Sequence, residues 1–128
     1  LGREALAVRR RDDAGLAEPL TPKQTAGSLY DLVQAIPGDI ALPAGEWNRS
    51  RIVFKGTRIE HWLNGVKVVD VNTASASFKI SLSGSKFAKI EGFARKKKGH
   101  ISLQDHNGAY AFRNLKIRER PRHEELER

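Results

Sequence analysis

From residue 45 onward hydrophobic and polar positions alternate. Residues 51–55 (RIVFK) and 58–63 (RIEHWL) are β-branched and aromatic runs parted by Gly56-Thr57, and a third run, 66–70 (VKVVD), follows Asn64-Gly65. Short period-two runs joined by two-residue turns mark antiparallel hairpins, because an Asn-Gly pair accepts positive φ at both central positions. Three such strands make a meander. A second hairpin is expected from 100–106 (HISLQDH) and 111–118 (AFRNLKIR) across Asn107-Gly108. Leu115 and Ile117 share a parity that Phe112 does not, which predicts a bulge near Arg113-Asn114. Residues 78–82 (FKISL) also alternate, and 85–93 reads as a short helix or a loop.

Before residue 45 the signals change. Residues 1–11 begin a short helix or stay loose. From 14 to 45, Pro19, Pro22, Pro37 and Pro43 with several glycines favour ordered loop, relieved only by a short element at 28–33. A connection this long is usually functional, so it is expected to form a rim over a binding site. Beyond Pro121 the charged tail is expected to fray. About five antiparallel strands and no strong helix define an all-β class, an antiparallel β-sandwich or barrel.

Composition narrows the reading. At 128 residues the chain suits a single domain over 1–128. It has no cysteine, which removes disulfides, thiol nucleophiles and Cys-ligated metal centres. It has no methionine either, as expected of a chain that is processed, renumbered or a piece of a longer reading frame. No apolar run nears the roughly 20 residues that span a bilayer, so the chain reads as soluble with no membrane partner. The net charge is +8, and residues 86–98 carry six cations against Glu91 alone. Such a cluster suits phosphates, but no nucleic-acid module accompanies it and no aromatic platform is interleaved with it. A solvated basic loop, without a nucleic-acid partner, is the expectation.

Parity then sorts the polar groups. Ile59, His61 and Leu63 share one face of their strand, and Glu60, Trp62 and Asn64 the other. In 100–106, Ile101, Leu103 and Asp105 oppose His100, Ser102, Gln104 and His106. Glu60, Trp62, Gln104 and His106 are therefore expected to line one concave surface. A tryptophan beside such groups suits a sugar, which offers a CH face for stacking and hydroxyls for hydrogen bonds. The plainer alternative is that Trp62 covers the sheet while the polar groups face solvent. His61 is expected to be a satisfied core histidine, and Asp105 either joins the site or bonds the turn backbone. His100 and His106 lie roughly 20 Å apart on an extended strand and cannot share an ion. Any metal site would need His106 with Glu60, Asp105 or loop oxygens.

The stretches GEWNRSRIVFKGTRIEHWLNGVKVVD (45–70), SKFAKIEGFARKKKGHISLQDHNG (85–108) and FRNLKIRE (112–119), with AGSLYDLV (26–33), closely resemble the 3-keto-disaccharide hydrolase family over residues 12–119. The resemblance implies a concanavalin A-like or laminin-G-like jelly roll binding ligands on its concave face. It also implies action on glycosides oxidised to a ketone at sugar carbon 3. That ketone acidifies the carbon 2 hydrogen, the carbon 1 substituent leaves by elimination, and water adds. The implied catalytic residues are Glu60, His106 and Arg113, and the implied substrate contacts are Trp62, Gln104, Asp105 and Asn48. His106 is the base or a metal ligand, Glu60 acid/base or ligand, Trp62 the platform, and Gln104 a hydroxyl contact. Arg113 stabilises the enolate or forms a structural ion pair. No cofactor is implied with certainty, and a divalent metal is possible. Family members resemble a larger domain with strands ahead of this region, so the sandwich is expected to be partial, with unpaired edges that invite self-association. The family fits an exported location. A carbohydrate-binding module without turnover is the alternative function.

Overall fold

The computed structural model describes residues 21–96, 98–104 and 110–119, together with the backbone alone of 2–3 and 7–9. Strands β1 (Gly2–Arg3) and β2 (Ala7–Arg9) precede the meander of β3 (Asn48–Lys55), β4 (Arg58–Leu63) and β5 (Val66–Asn72). Helix α1 (Ala76–Ser83) and strand β6 (Ala111–Arg113) follow. The strands form an antiparallel sheet in the order β5-β4-β3-β2-β6, with β1 also against β3. The described residues are thus mostly β, as the alternation predicts.

Turn chemistry sets the meander's register. Gly56 has φ 52, and Asn64 and Gly65 have φ 50 and 83, so both turns take the positive φ that matches strand twist. Lys55 then faces Arg58, and Leu63 faces Val66. Residues 2–3 and 7–9, expected as helix or loose chain, are instead strands. Gly2 and Arg3 pair with Val53 and Ile52, and Ala7 and Val8 with Arg49 and Asn48. An open β3 edge offers unpaired N–H and C=O groups, and backbone pairing to it needs no side-chain alternation.

Among the described residues the second predicted hairpin does not form. Residues 100–104 have no regular structure, 105–109 lie outside the described residues, and β6 pairs with β2. Strand β6 ends at Arg113, and Asn114 turns away at φ 57 where a bulge was expected. The irregularity in the sheet falls between β4 and β5, where His61 faces Val69 but Trp62 faces Lys67. The extra residue, Val68, leaves both Val68 and Val69 buried. Residues 78–82 are helical. Phe78 and Leu82 are four apart and share a helix face as well as a strand face, while Ser75 caps the start by accepting from Phe78 N at 3.2 Å.

A strap, residues 26–41, closes one face of the meander. Ala35, Leu63, Val68 and Val69 form its core, with Leu29, Val33 and Ile40 packed around them. The bulge assists, because Val68 O accepts from Ile36 N at 2.9 Å. Gly27 lies so close that a Cβ there would stand 3.0 Å from Val68 Cγ2. The strap therefore packs on the Leu63 face, opposite Trp62, and is a core cover and not the expected rim. Two carboxamides fasten its end. Asn48, 1% exposed, accepts from Leu42 N at 2.6 Å and Asn64 Nδ2 at 2.9 Å, and donates to Leu42 O at 3.3 Å. Asn64 Nδ2 also donates to Ile40 O at 2.9 Å. Asn48→Ala would leave the Leu42 N–H without its acceptor, and urea denaturation should show a loss of about 2–3 kcal/mol.

Candidate functional site

Alternation places Trp62 and Glu60 on the face of β4 away from the strap. Their cross-strand partners on β3 are Arg51 and Val53, while Lys67 and Asp70 face them from β5. The Arg51 guanidinium lies 5.5 Å and the Lys67 ammonium 5.8 Å from the Trp62 ring centre, within cation–π range. Beside them lies a matched charge cluster. Arg58 grips Asp70 through two bonds of 2.8 and 2.6 Å, and Lys67 adds a third at 2.9 Å. Hydrogen bonds from Arg58 and then Lys67 hold the Asp70 carboxyl well below the usual carboxylate range. Glu60, almost buried, lies 3.8 Å from Arg58 and 3.6 Å from Lys67.

Next to this cluster opens a hollow of about 690 Å³. Trp47 and Trp62 line it with Arg51, Arg113, Asn114 and Lys116. Arg113, from the end of β6, stands 4.0 Å over the Trp47 ring. The Trp62 Nε1–H is buried and has no hydrogen-bond partner among the described residues. Asn48 and Arg49 also line the hollow, and no carboxylate or imidazole does among the described residues.

The predicted site residues divide accordingly. Trp62, Arg113 and Asn48 come together at the hollow, though the Asn48 amide is engaged by the strap. Glu60 shares the Trp62 face but does not line the hollow. Gln104 is exposed and lies outside the lining; Asp105 and His106 fall outside the described residues. Asn64 leaves the parity of its strand, because the turn sends its amide to Ile40 and Asn48. Trp47 was missed. Its signal was an indole one residue ahead of the first alternating strand.

His61 occupies the opposite, strap-side face. Its Nδ1–H donates to Gly27 O at 2.9 Å. Burial pushes its pKa below the ordinary 6.5, opposed by the Gly27 carbonyl. It is a core group. Among the described residues no cluster of three or more His, Cys, Asp or Glu side chains could hold a metal ion. Glu60, the described member of the suggested ligand set, faces two cations, an environment that disfavours a third. Nor is the basic run uniformly solvated: Lys86 pairs with Asp31 at 2.9 Å and lies 4.6 Å from the Tyr30 ring centre. No helix among the described residues is long and apolar enough to cross a membrane.

A family model described as a 3-keto-alpha-glucoside-1,2-lyase-like domain matches residues 7–118. The chain belongs to this family. A 3-keto-disaccharide hydrolase of Bacteroides thetaiotaomicron is 32% identical over 104 residues, covering 73% of this chain and 35% of that protein. The crystal structure of a putative glycosyl hydrolase from Parabacteroides distasonis aligns with a TM-score of 0.51 at 31% identity, covering 55% of this chain and 31% of that one. The chain spans about a third of the length of these relatives.

The His61 environment makes a pH prediction. Its folded pKa is lowered, so the unfolded chain binds more protons, and stability present above pH 6.5 is lost as pH falls towards the lower folded value. Urea midpoints at pH 7 and pH 5 should fall more for the native chain than for His61→Gln; equal falls would exclude His61 as the source.

Proposed function

We propose that the hollow is the sugar-binding part of a domain that cleaves 3-keto-glycosides. The observation that carries this reading is the pair of indoles at a concavity of sugar size, edged by guanidinium and amide groups. Trp62 and Trp47 supply apolar walls for the CH face of a pyranose, and Asn114 is placed to meet hydroxyls.

The chemistry assigns a role to charge. A base removes the carbon 2 proton, and the C–H electron pair becomes an enolate delocalised onto the carbon 3 oxygen. The enolate collapses to a carbon 1–carbon 2 double bond as the carbon 1 substituent leaves with a proton. Water then adds across that bond, and the sum is hydrolysis. A cation beside the enolate oxygen lowers the barrier because it meets charge that develops in the transition state. Arg113, positioned over Trp47, is our choice for that group. His106 remains the proposed base and Gln104 a hydroxyl contact, both carried from the family resemblance. Glu60 is proposed as a support for Lys67 and Arg58 in place of its earlier acid/base role. The relatives are about three times longer, so the complete reaction is proposed for the whole domain.

Carbohydrate binding without turnover is the second reading, favoured by the absence of an acid or base among the described lining residues. Incubation with 3-keto-sucrose or a 3-keto-glucoside, with and without divalent metal, separates the two. Sugar release supports cleavage; saturable binding without release supports the module. Trp62→Ala should weaken binding by about tenfold, the scale of one lost aromatic contact, and Arg113→Ala should reduce turnover more than binding. No binding of any glycoside by calorimetry would remove both readings.

A further inference from the structure

We propose that the hollow selects sugars bearing an anionic group, a carboxylate or a sulfate, over neutral ones. The inference rests on the sugar-binding reading and adds a substrate class to it. Its basis is a contrast between two neighbouring stretches of the sheet. Around Glu60 and Asp70 the cations are matched, with Arg58 and Lys67 each in contact with both carboxylates. In the hollow Arg49, Arg113 and Lys116 are not. These three line it, and no acidic side chain does among the described residues.

Arg49, Arg113 and Lys116 form no ion pair with another described residue, and all three are exposed. Cations gathered round one concavity repel one another and raise its potential, a cost that an anionic ligand relieves. A neutral 3-keto-glycoside would employ one of them, at the enolate oxygen. The remainder point to a permanent negative charge elsewhere on the ligand. Arg49 and Lys116 suit this role because both are exposed at the hollow, and a guanidinium can grip an oxyanion through two parallel bonds while an ammonium adds a point charge. The indoles make the ligand a sugar carrying the anion and not the anion alone.

Titration calorimetry of the full chain with a glucuronate-bearing disaccharide, its 6-O-sulfated counterpart and the neutral parent tests this. The anionic sugars should bind roughly tenfold tighter at low salt, and the advantage should shrink at 0.5 M sodium chloride, as exposed charge contacts do. Which of the two binds tighter distinguishes carboxylate from sulfate recognition. Arg49→Gln with Lys116→Gln should weaken binding of the anionic sugars far more than that of the neutral parent and so remove most of the advantage. Equal affinity for all three sugars would overturn the charge preference and leave the sugar reading intact. Inorganic sulfate binding as tightly as the sulfated sugar would also overturn it, since the indoles would then contribute nothing. Failure of every sugar to bind would take down the sugar reading and this inference together.

Discussion

One buried carboxamide holds the arrangement together. Asn48 sits at the start of β3 with 1% exposure, where an unpaired amide would be costly, and its bonds go to Leu42 and Asn64. Asn64 occupies the β4–β5 turn, so the same network joins the strap's end, the first strand and the second turn. Once the strap is fastened there, Leu63, Val68 and Val69 are covered and His61 is sealed against Gly27. The opposite face of β4 is then the one left to carry Trp62. Which face becomes core and which becomes site is settled by polar bonds at the edge as much as by apolar burial.

The open face is in turn divided by charge. Arg58, Glu60, Lys67 and Asp70 balance one another across β4 and β5, and Asp70 takes the shortest bonds. The exposed pairs to Asp70 add little stability. Their effect is positional: they hold Lys67 beside the Trp62 ring while Arg51 stands beside it from β3. Trp62 thereby has cations on the strands flanking it, and its edge reaches the hollow. The strap contributes nothing to that wall, although it belongs to the long 14–45 connection expected to form a rim.

The meander was legible in the sequence because its signals are local. Two-residue turns containing Gly56 and Asn64-Gly65 admit few alternatives, and alternation then places Trp62 and His61 on opposite faces without further information. Other elements were illegible for equally physical reasons. The spacing of four between Phe78 and Leu82 fits both a strand and a helix, and Ser75 caps the helix that forms. The partner of β6 is β2, whose sequence shows no strand periodicity and is recruited by the open edge of β3. Trp47 and Arg113 are far apart in the chain, and only this pairing brings them within 4.0 Å. The family name was readable from extended strings of residues, whereas the hollow depended on nonlocal pairing.

Strand geometry also dissects the Glu60-His61-Trp62 triplet. Read as a unit, it suggests a catalytic carboxylate, an imidazole and a platform acting together. On a strand, neighbours diverge, and the three residues take three separate tasks: Glu60 joins an ion network, His61 enters the core, and Trp62 meets the hollow. Residues two apart on one face are separated by about 7 Å. A sugar stacked on Trp62 would thus lie near Glu60, yet the carboxylate would have to abandon Arg58 and Lys67 to act on it. That rearrangement would leave Asp70 alone to balance Arg58 and Lys67. In the proposed reading, proton transfer is better served by groups brought to the hollow from other segments, and the triplet contributes Trp62 alone to its wall.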